Sequence, residues 1–326
     1  MAWPSPRRSA PRWDREHARA LLSLTLLAVG LAVVNGLTTA SEAVFLPPGN
    51  SSWSNGMISF WQTDAGLPSN DLSVVAFDPG TESVYAGTWY AGMLRLNLSS
   101  FELSFWDVNS GLASNRVQAL LVDPTDHRVF VGTDAGIQLL QPSTGTFTSI
   151  CSAVGFGVYD YDLPPGSATL YAATDRGLLL CDLQTGGVVR WVNSTDGLPR
   201  DFVRSVYADP SRSRVYLAVT PGLSVYFEDN GTVINLNMTH GLPSPIVNSI
   251  DSTPLGDSVF LATSATWGLS PGGISILNTS DFSVVNFGKQ DGLSHAEVDD
   301  VSYDLARNRL YLSVRPGGPT NFAFPV

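Results

Sequence analysis

Residues 197–238 read GLPRDFVRSVYADPSRSRVYLAVTPGLSVYFEDNGTVINLNM. Short apolar runs in this stretch alternate with Gly, Pro, Asn and Asp, which stand where hairpins need a positive or fixed φ. The runs are Val203 to Ala208, Arg214 to Val219, Gly222 to Phe227 and Val233 to Met238. The pattern predicts four antiparallel strands in one compact unit.

The second strand of this unit recurs along the chain, each time with an aromatic residue at its centre. The aromatic residues are Tyr85, Phe130, Tyr171, Tyr216, Phe260 and Tyr311. Four strands per unit, repeated in the same order, are typical of β-propeller blades. A β-sandwich would share the alternation of its strands but not this unit-by-unit order. We therefore predict an all-β protein, a β-propeller of six four-stranded blades.

The last unit lacks one strand of its own. Its strands are Val298 to Asp304, Arg309 to Val314 and Thr320 to Val326, whereas Met57 to Gln62 precedes the first unit as an orphan strand. The N-terminal strand is therefore expected to complete the last blade. A fragment of a seven-bladed ring is the alternative.

The N-terminal region differs from the repeats and predicts the domain organisation. Arginines precede an apolar run from Leu21 to Val34, which small residues follow up to Ala43. This order is typical of a signal peptide, although an uncleaved membrane anchor is the competing interpretation. The expected segments are a signal peptide or anchor at 1–42, a linker at 43–56 and the propeller at 57–326.

The charge distribution argues against nucleic acid as a partner. The net charge of the chain is −11, and the five arginines and two acidic residues of 1–40 leave the remainder still more acidic. Lys289 is the one lysine. Such a body does not offer the cationic stripe that a phosphate backbone requires.

Sequons and cysteines indicate the secretory pathway. Six Asn-X-Ser/Thr triplets lie downstream of the apolar run, at Asn50, Asn97, Asn193, Asn230, Asn237 and Asn278. They predict a secreted or extracellular glycoprotein, or a membrane-anchored one with the propeller outside the cytosol. Cys151 and Cys181 are the two cysteines and are expected to form a disulfide there, buried free thiols being the alternative.

Two units carry a resemblance to a known repeat. Trp61 to Leu72 with Val84 to Thr88, and Trp106 to Val117 with Val129 to Thr133, resemble the two-component regulator propeller repeat. Later units match less well. The resemblance implies an extracytoplasmic sensor propeller, often joined to a membrane helix and a histidine kinase, and it provides no universal catalytic residue.

The turns into the first strands and those between second and third strands are expected to open on one face near the channel. Function is often carried by such loops. The candidate ligand-binding residues are Asn70, Asp71, Trp89, Tyr90, Asn115, Arg116, Asp134, Asp175, Arg176, Arg200, Asp201, Trp267 and His295. Their amides, charges and rings suit a small polar ligand, a glycan or a protein partner. Solvated turns and structural caps are the alternative roles.

Two function classes remain at this point. A non-enzymatic ligand-binding or sensor-type module is favoured, because the sequence contains no nucleophile elbow, phosphate-binding loop, dinucleotide fingerprint or zinc-protease motif. No catalytic residue, metal or cofactor is therefore expected. The alternative is a carbohydrate-active hydrolase or lyase in which His240, His295 and an acid such as Asp201 or Asp299 converge.

Overall fold

The computed structural model describes residues 67–151, 155–266, 270–305 and 307–315. Its strands form five four-stranded sheets and one two-stranded sheet, each built from consecutive antiparallel neighbours. The predicted all-β propeller architecture, with six repeating sheets, is confirmed. Within the described residues no helix is long and apolar enough to cross a bilayer.

Each sheet is one blade, with its strands in chain order. Blade 1 has β1 (Leu72–Asp78), β2 (Ser83–Thr88), β3 (Met93–Asn97) and β4 (Leu103–Trp106). Blade 2 has β5 (Val117–Val122), β6 (Val129–Thr133), β7 (Gly136–Gln141) and β8 (Thr146–Ile150). Blade 3 has β9 (Val158–Asp162), β10 (Thr169–Thr174), β11 (Gly177–Asp182) and β12 (Gly187–Val192). Blade 4 has β13 (Val206–Asp209), β14 (Arg214–Val219), β15 (Gly222–Phe227) and β16 (Val233–Leu236). Blade 5 has β17 (Val247–Ser252), β18 (Ser258–Thr263), β19 (Gly273–Asn278) and β20 (Val284–Phe287), and blade 6 has β21 (Glu297–Asp304) and β22 (Arg309–Arg315).

Blade 4 shows how closely the sequence predicted strand positions. Its second and third strands have the predicted bounds. The first begins at Val206 instead of Val203, and the fourth ends at Leu236 because Met238 begins a 3-10 turn. The third strand of blade 6 and the sealing strand at 57–62 lie outside the described residues, so closure of the ring stays a prediction.

The innermost strands β1, β5, β9, β13, β17 and β21 contact one another in chain order. Because each blade is antiparallel, the turns into the first strands share a face with the turns between second and third strands. We call this the upper face, and the opposite side, with its first-to-second and third-to-fourth turns, the lower face. The candidate residues that lie in the described part of the chain belong to the upper face.

Apolar cores fill the seams between successive blades. One core, for example, joins Leu178 and Val192 of blade 3 to Val215 and Leu217 of blade 4. Equivalent clusters lie between each other pair of neighbouring blades. Since blades 2 to 5 bury both faces against their neighbours, the hydrophobic effect holds the six described blades in a row.

Buried carboxylates reinforce these seams. Asp162 of β9 is fully buried, and its Oδ2 accepts a hydrogen bond from the backbone N–H of Ala208 in β13 at 2.7 Å. Asp251 of β17 repeats the arrangement, accepting from the N–H of Tyr303 in β21 at 3.0 Å. These side chains satisfy main-chain donors on the inner edge of the next blade, where no further strand is present to pair with them.

A glycine opens the third strand of five blades, at Gly92, Gly136, Gly177, Gly222 and Gly273. At Gly177 the backbone φ is +113°, and a Cβ atom would lie 2.2 Å from the carbonyl oxygen of Val192, the last residue of the fourth strand. Both the backbone conformation and the space exclude a side chain. The recurrent glycine is thus required for the fourth strand to pair closely.

A disulfide joins two blades. Cys151, directly after β8, is bonded to Cys181 of β11, with the two Cα atoms 5.8 Å apart. Both residues are buried in the core between blades 2 and 3. The cross-link therefore ties the outer strand of one blade to the third strand of the next.

We expect Asp162→Leu to lower the free energy of unfolding by about 2 kcal/mol, because the buried N–H of Ala208 loses its acceptor. Asp162→Asn should cost less, since its amide oxygen can still accept. Urea denaturation followed by tryptophan fluorescence measures both. Glu102→Ala, at an exposed turn, is the control and should shift stability by less than about 0.5 kcal/mol. Equal stability of Asp162→Leu and the wild type would contradict the role of the seam carboxylate.

We expect Gly177→Ala to destabilise the protein by about 3 kcal/mol or more, since the added Cβ meets a backbone oxygen in a strained conformation. Gly166→Ala in the same blade is the matched control. Its φ is +75°, but nothing lies within 4 Å of the added Cβ. This variant should lose only about 1 kcal/mol, from the left-handed backbone itself. Thermal unfolding of the pair separates steric exclusion from backbone strain, and similar losses would show that the close contact is unimportant.

Candidate functional site

The innermost strands carry β-bulges where they leave the upper face. The register shifts leave one extra residue in five blades: Ser73, Gln118, Tyr159, Asn248 and Asp299. In blade 4, Arg204 holds the corresponding place immediately before Ser205, whose carbonyl accepts from Ala218. Bulges re-aim a side chain and occur often beside functional sites. Each blade therefore contributes one polar residue at the same level.

Several bulge side chains reach the next blade. The Ser73 hydroxyl donates to the carbonyl oxygen of Val117. Asn248 Nδ2 donates to the carbonyl oxygen of Val298 at 2.8 Å and to Ser264 Oγ at 2.6 Å. These contacts hold neighbouring blades in register at the level of the upper face.

Rings and guanidinium groups alternate across blades 1 to 4. The Arg116 guanidinium lies 5.0 Å from the centroid of the Trp89 ring, and that of Arg204 lies 5.9 Å from the Phe202 ring. Between them, the rings of Tyr159 and Phe202 are 4.7 Å apart. We call Trp89, Arg116, Tyr159, Phe202 and Arg204 the arginine–aromatic row. It forms a semi-exposed strip of flat groups on the upper face.

Tyr159 is the centre of this strip. Burial and the nearby charge of Asp175 raise the pKa of its hydroxyl above the ordinary value, whereas a hydrogen bond with Gln118 and the charge of Arg116 oppose the rise. Asp134 adds a further negative charge nearby. The phenol therefore stays protonated at physiological pH and can donate or accept a hydrogen bond.

Gln118 lies nine-tenths buried beside Tyr159. Among the described residues its Oε1 atom has no hydrogen-bond partner. Buried amide oxygens are seldom left in that state. The atom is a buried acceptor below the row, with almost no surface of its own accessible to solvent.

The turn between β10 and β11 borders the row. Arg176 Nη2 donates to the carbonyl oxygen of Gly155 at 2.6 Å, and the backbone N–H of Asp175 donates to that of Gly157 at 3.1 Å. These bonds attach the turn to the segment entering β9. The exposed Asp175 carboxylate is thereby positioned near Tyr159.

Three residues expected to bind ligand have local structural roles. Asn115 Oδ1 accepts from the N–H of Val108 at 2.9 Å, and Asp201 Oδ1 accepts from that of Ser194 at 2.8 Å. The Ser194 hydrogen bonds lower the pKa of Asp201. The carbonyl oxygen of Asp71 accepts from the N–H of Trp89 at 3.1 Å. Asp71 therefore holds this turn through its main chain, and its side chain is exposed.

The remaining predicted residues surround the row or fall elsewhere. Tyr90 projects into solvent with 76% of its surface exposed, and Asn70 and Arg200 are exposed in their turns. His295 is half-buried shortly before β21. Trp267 lies outside the described residues. The stem of its loop is described, and there Thr266 and Ser270 form an isolated antiparallel bridge.

Four members of the site were not among the residues predicted from sequence: Gln118, Tyr159, Phe202 and Arg204. The prediction concentrated on turns, whereas three of these residues lie at or beside the bulges. An available signal was the polar or aromatic residue that directly follows the first apolar residue of each innermost strand, as in Val117-Gln118, Val158-Tyr159 and Val203-Arg204.

Acidic residues in blade 6 are neutralised locally. Arg315 donates to Asp299 through Nε at 2.9 Å and lies 3.7 Å from Glu297. The hydrogen bond to Asp299 and both carboxylate charges raise the pKa of Arg315. Far from this cluster along the chain, His240 Nδ1 lies 2.9 Å from Asn237 Oδ1 in a 3-10 turn. The described residues contain no group of three or more His, Cys, Asp or Glu side chains that could hold a metal ion.

No protein-family model matches the chain. No curated protein matches it either. Solved structures do: the extracellular domain of the hybrid two-component system BT3049 of B. thetaiotaomicron is 20% identical, with a TM-score of 0.60 over 76% of this chain and 33% of that one. The extracellular domain of the one-component system BT4673 of the same organism is 16% identical, with a TM-score of 0.49 over 75% of this chain and 39% of that one.

The chain thus spans about a third of the length of the first of these structures. At 20% identity the likeness concerns the fold. It shows that the repeating four-stranded sheets of this chain share the fold of part of that structure.

Proposed function

We propose that this chain is a non-enzymatic, extracytoplasmic ligand-binding module of the sensor type, and that its ligand lies on the arginine–aromatic row. The row itself carries the proposal. It presents aromatic rings and guanidinium donors in contact with one another, and the charges of Asp175 and Asp134 act on the Tyr159 hydroxyl at its centre. That combination suits a polar ligand with both ring-like faces and hydroxyl groups, such as a carbohydrate.

The similar BT3049 structure is the extracellular domain of a two-component system, which agrees with this proposal. For our chain we propose only the recognition step.

Location outside the cytosol is part of the proposal. The Cys151–Cys181 disulfide suits an oxidising compartment. Three of the sequons, at Asn97, Asn230 and Asn278, lie at third-to-fourth-strand turns on the lower face, and two of these asparagines are exposed. Glycans there would leave the upper face accessible. Asn50 lies outside the described residues.

Catalysis by the groups considered from sequence has less support. The Asp299 carboxylate is paired with Arg315, and His240 is bonded to Asn237 in its turn. Asp201 accepts a hydrogen bond from the Ser194 backbone. A general acid–base pair needs two groups facing one substrate. These three instead serve their own local structures, so recognition is the better account.

We expect Phe202→Ala to weaken carbohydrate binding by the secreted protein about tenfold, because a stacking face is worth about 1 kcal/mol or more. A glycan array identifies a ligand, and titration calorimetry then measures its affinity. Phe287→Ala, at an exposed position of outer strand β20, is the control and should bind normally. Unchanged affinity in Phe202→Ala would contradict placement of the ligand on the row.

The sequons at Asn193 and Asn237 yield a separate prediction. Each asparagine caps a 3-10 turn, its Oδ1 accepting from the N–H of the threonine two residues later at 2.9 Å. Asp107 caps the corresponding turn after blade 1. Asparagine-to-aspartate changes should therefore remove any glycan while keeping the cap.

For this test, Asn237→Asp should unfold at the wild-type temperature after enzymatic deglycosylation of both proteins. Asn237→Ala should lose about 1 kcal/mol, because the cap is lost. Intact mass before deglycosylation reports whether the site carries a glycan. Equal stability of the Ala and Asp variants would show that the cap is unimportant.

A further inference from the structure

Arginines on the two faces differ in their partners. On the lower face Arg128 pairs with Asp123, Arg212 with Asp209 and Arg307 with Asp304. Each of these pairs lies in a turn between a first and a second strand. There the arginine neutralises a buried or nearly buried carboxylate.

Three upper-face arginines lack such partners, whereas Arg315 at the upper end of β22 pairs with Glu297 and Asp299. Within the described part of the chain, Arg116, Arg176 and Arg204 form no ion pair with a carboxylate, although the protein as a whole carries a net charge of −11. The guanidiniums of Arg116 and Arg204 lie over aromatic rings, 5.0 Å and 5.9 Å from the ring centroids. A cation–π contact of this kind holds each group near its ring and leaves its N–H donors available.

The geometry of a guanidinium is selective. Its planar fork donates two parallel hydrogen bonds to a carboxylate, which a neutral hydroxyl or an ester cannot accept in the same way. Two forks occur in the row, one on each side of Tyr159 and Phe202. Their spacing is set by three blades and is therefore rigid.

The space between the forks has a different chemistry. Tyr159 and Phe202 present ring faces there, and Asp134 and Asp175 place acceptors near the Tyr159 hydroxyl. The buried Gln118 Oε1 adds an acceptor without a partner among the described residues. Sugar hydroxyls can donate to the two exposed carboxylates, whereas a phosphate backbone would meet repulsion from them.

From these observations we infer that the ligand of the arginine–aromatic row is an acidic saccharide, whose uronic acid carboxylates bind Arg116 and Arg204 while its sugar rings stack on Tyr159 and Phe202. The inference rests on the proposed binding function and specifies its ligand class. Neutral parts of the saccharide would supply the hydroxyl donors for Asp134 and Asp175.

Oligogalacturonates of matched length, in the free-acid and the fully methyl-esterified form, test this inference by titration calorimetry with the full secreted chain. The two forms differ in charge but share the same sugar rings. We expect the acid form to bind at least tenfold more tightly. Arg116→Gln and Arg204→Gln should each remove most of that preference, and Phe202→Ala should weaken binding of both forms.

Arg190→Gln is the matched control. This arginine also lies over a ring, 5.5 Å from the Tyr226 centroid, but it belongs to outer strand β12. It should bind both forms like the wild type. An equal loss in Arg190→Gln and Arg116→Gln would reduce the preference to a general charge effect and overturn the inference.

Other outcomes separate the inference from the proposed function. Equal affinity for acid and ester, lost in Phe202→Ala, overturns the acidic ligand but keeps the site. A glutamate oligopeptide that binds as tightly as the acid saccharide overturns the saccharide class. If neither form binds and no other glycan of an array does, both the inference and the carbohydrate proposal fail.

Discussion

The structure depends on hydrogen bonds between successive blades. Backbone N–H groups of an innermost strand donate them to carboxylates of the preceding blade. An innermost strand has a neighbour on one side only, so its inner edge presents main-chain donors to the channel. Asp162 and Asp251 accept from such donors in the next blade, and Asp160 Oδ2 accepts from the N–H of Val206 at 3.0 Å. The seams are therefore directional, each blade completing the edge of its successor. Apolar packing brings blades together, and these bonds fix their height relative to one another.

Fixed height is what allows the upper face to hold a site. The bulge residues lie beside residues that form the bonds between blades. Tyr159 is next to Asp160, and Arg204 is next to Ser205. Ser205 Oγ in turn donates to Asp160 Oδ2 at 2.7 Å. A ring on one blade can then contact a ring on the next at a constant distance, as Tyr159 and Phe202 do in a tilted arrangement. Ligand contacts with such rings lose little entropy on binding, because the scaffold has already ordered the groups.

Periodicity made the fold predictable, whereas the site was predictable only in part. Strand alternation and turn residues determine blade boundaries locally, so one sequence unit was enough to predict them. A bulge adds one residue to a strand without changing the strand's pattern of apolar residues, so the sequence does not reveal it. The side chains that a bulge residue contacts belong to another blade, which the local sequence does not show either. Arg116 and Trp89 were predicted because they lie in turns, while Tyr159 and Phe202 were missed because their pairing joins two blades.

The turns of the lower face and those of the upper face use different polar residues. Turns of the lower face use an aspartate to hold the chain, and an arginine such as Arg212 neutralises it. Upper-face turns begin with an aspartate or asparagine cap that its own backbone satisfies, as at Asp107 and Asn193. Those caps need no cation, and Arg116 and Arg204, which lie where the chain enters the next blade, form no ion pair with a carboxylate among the described residues. The donors of these two arginines are the physical basis for placing recognition on the upper face.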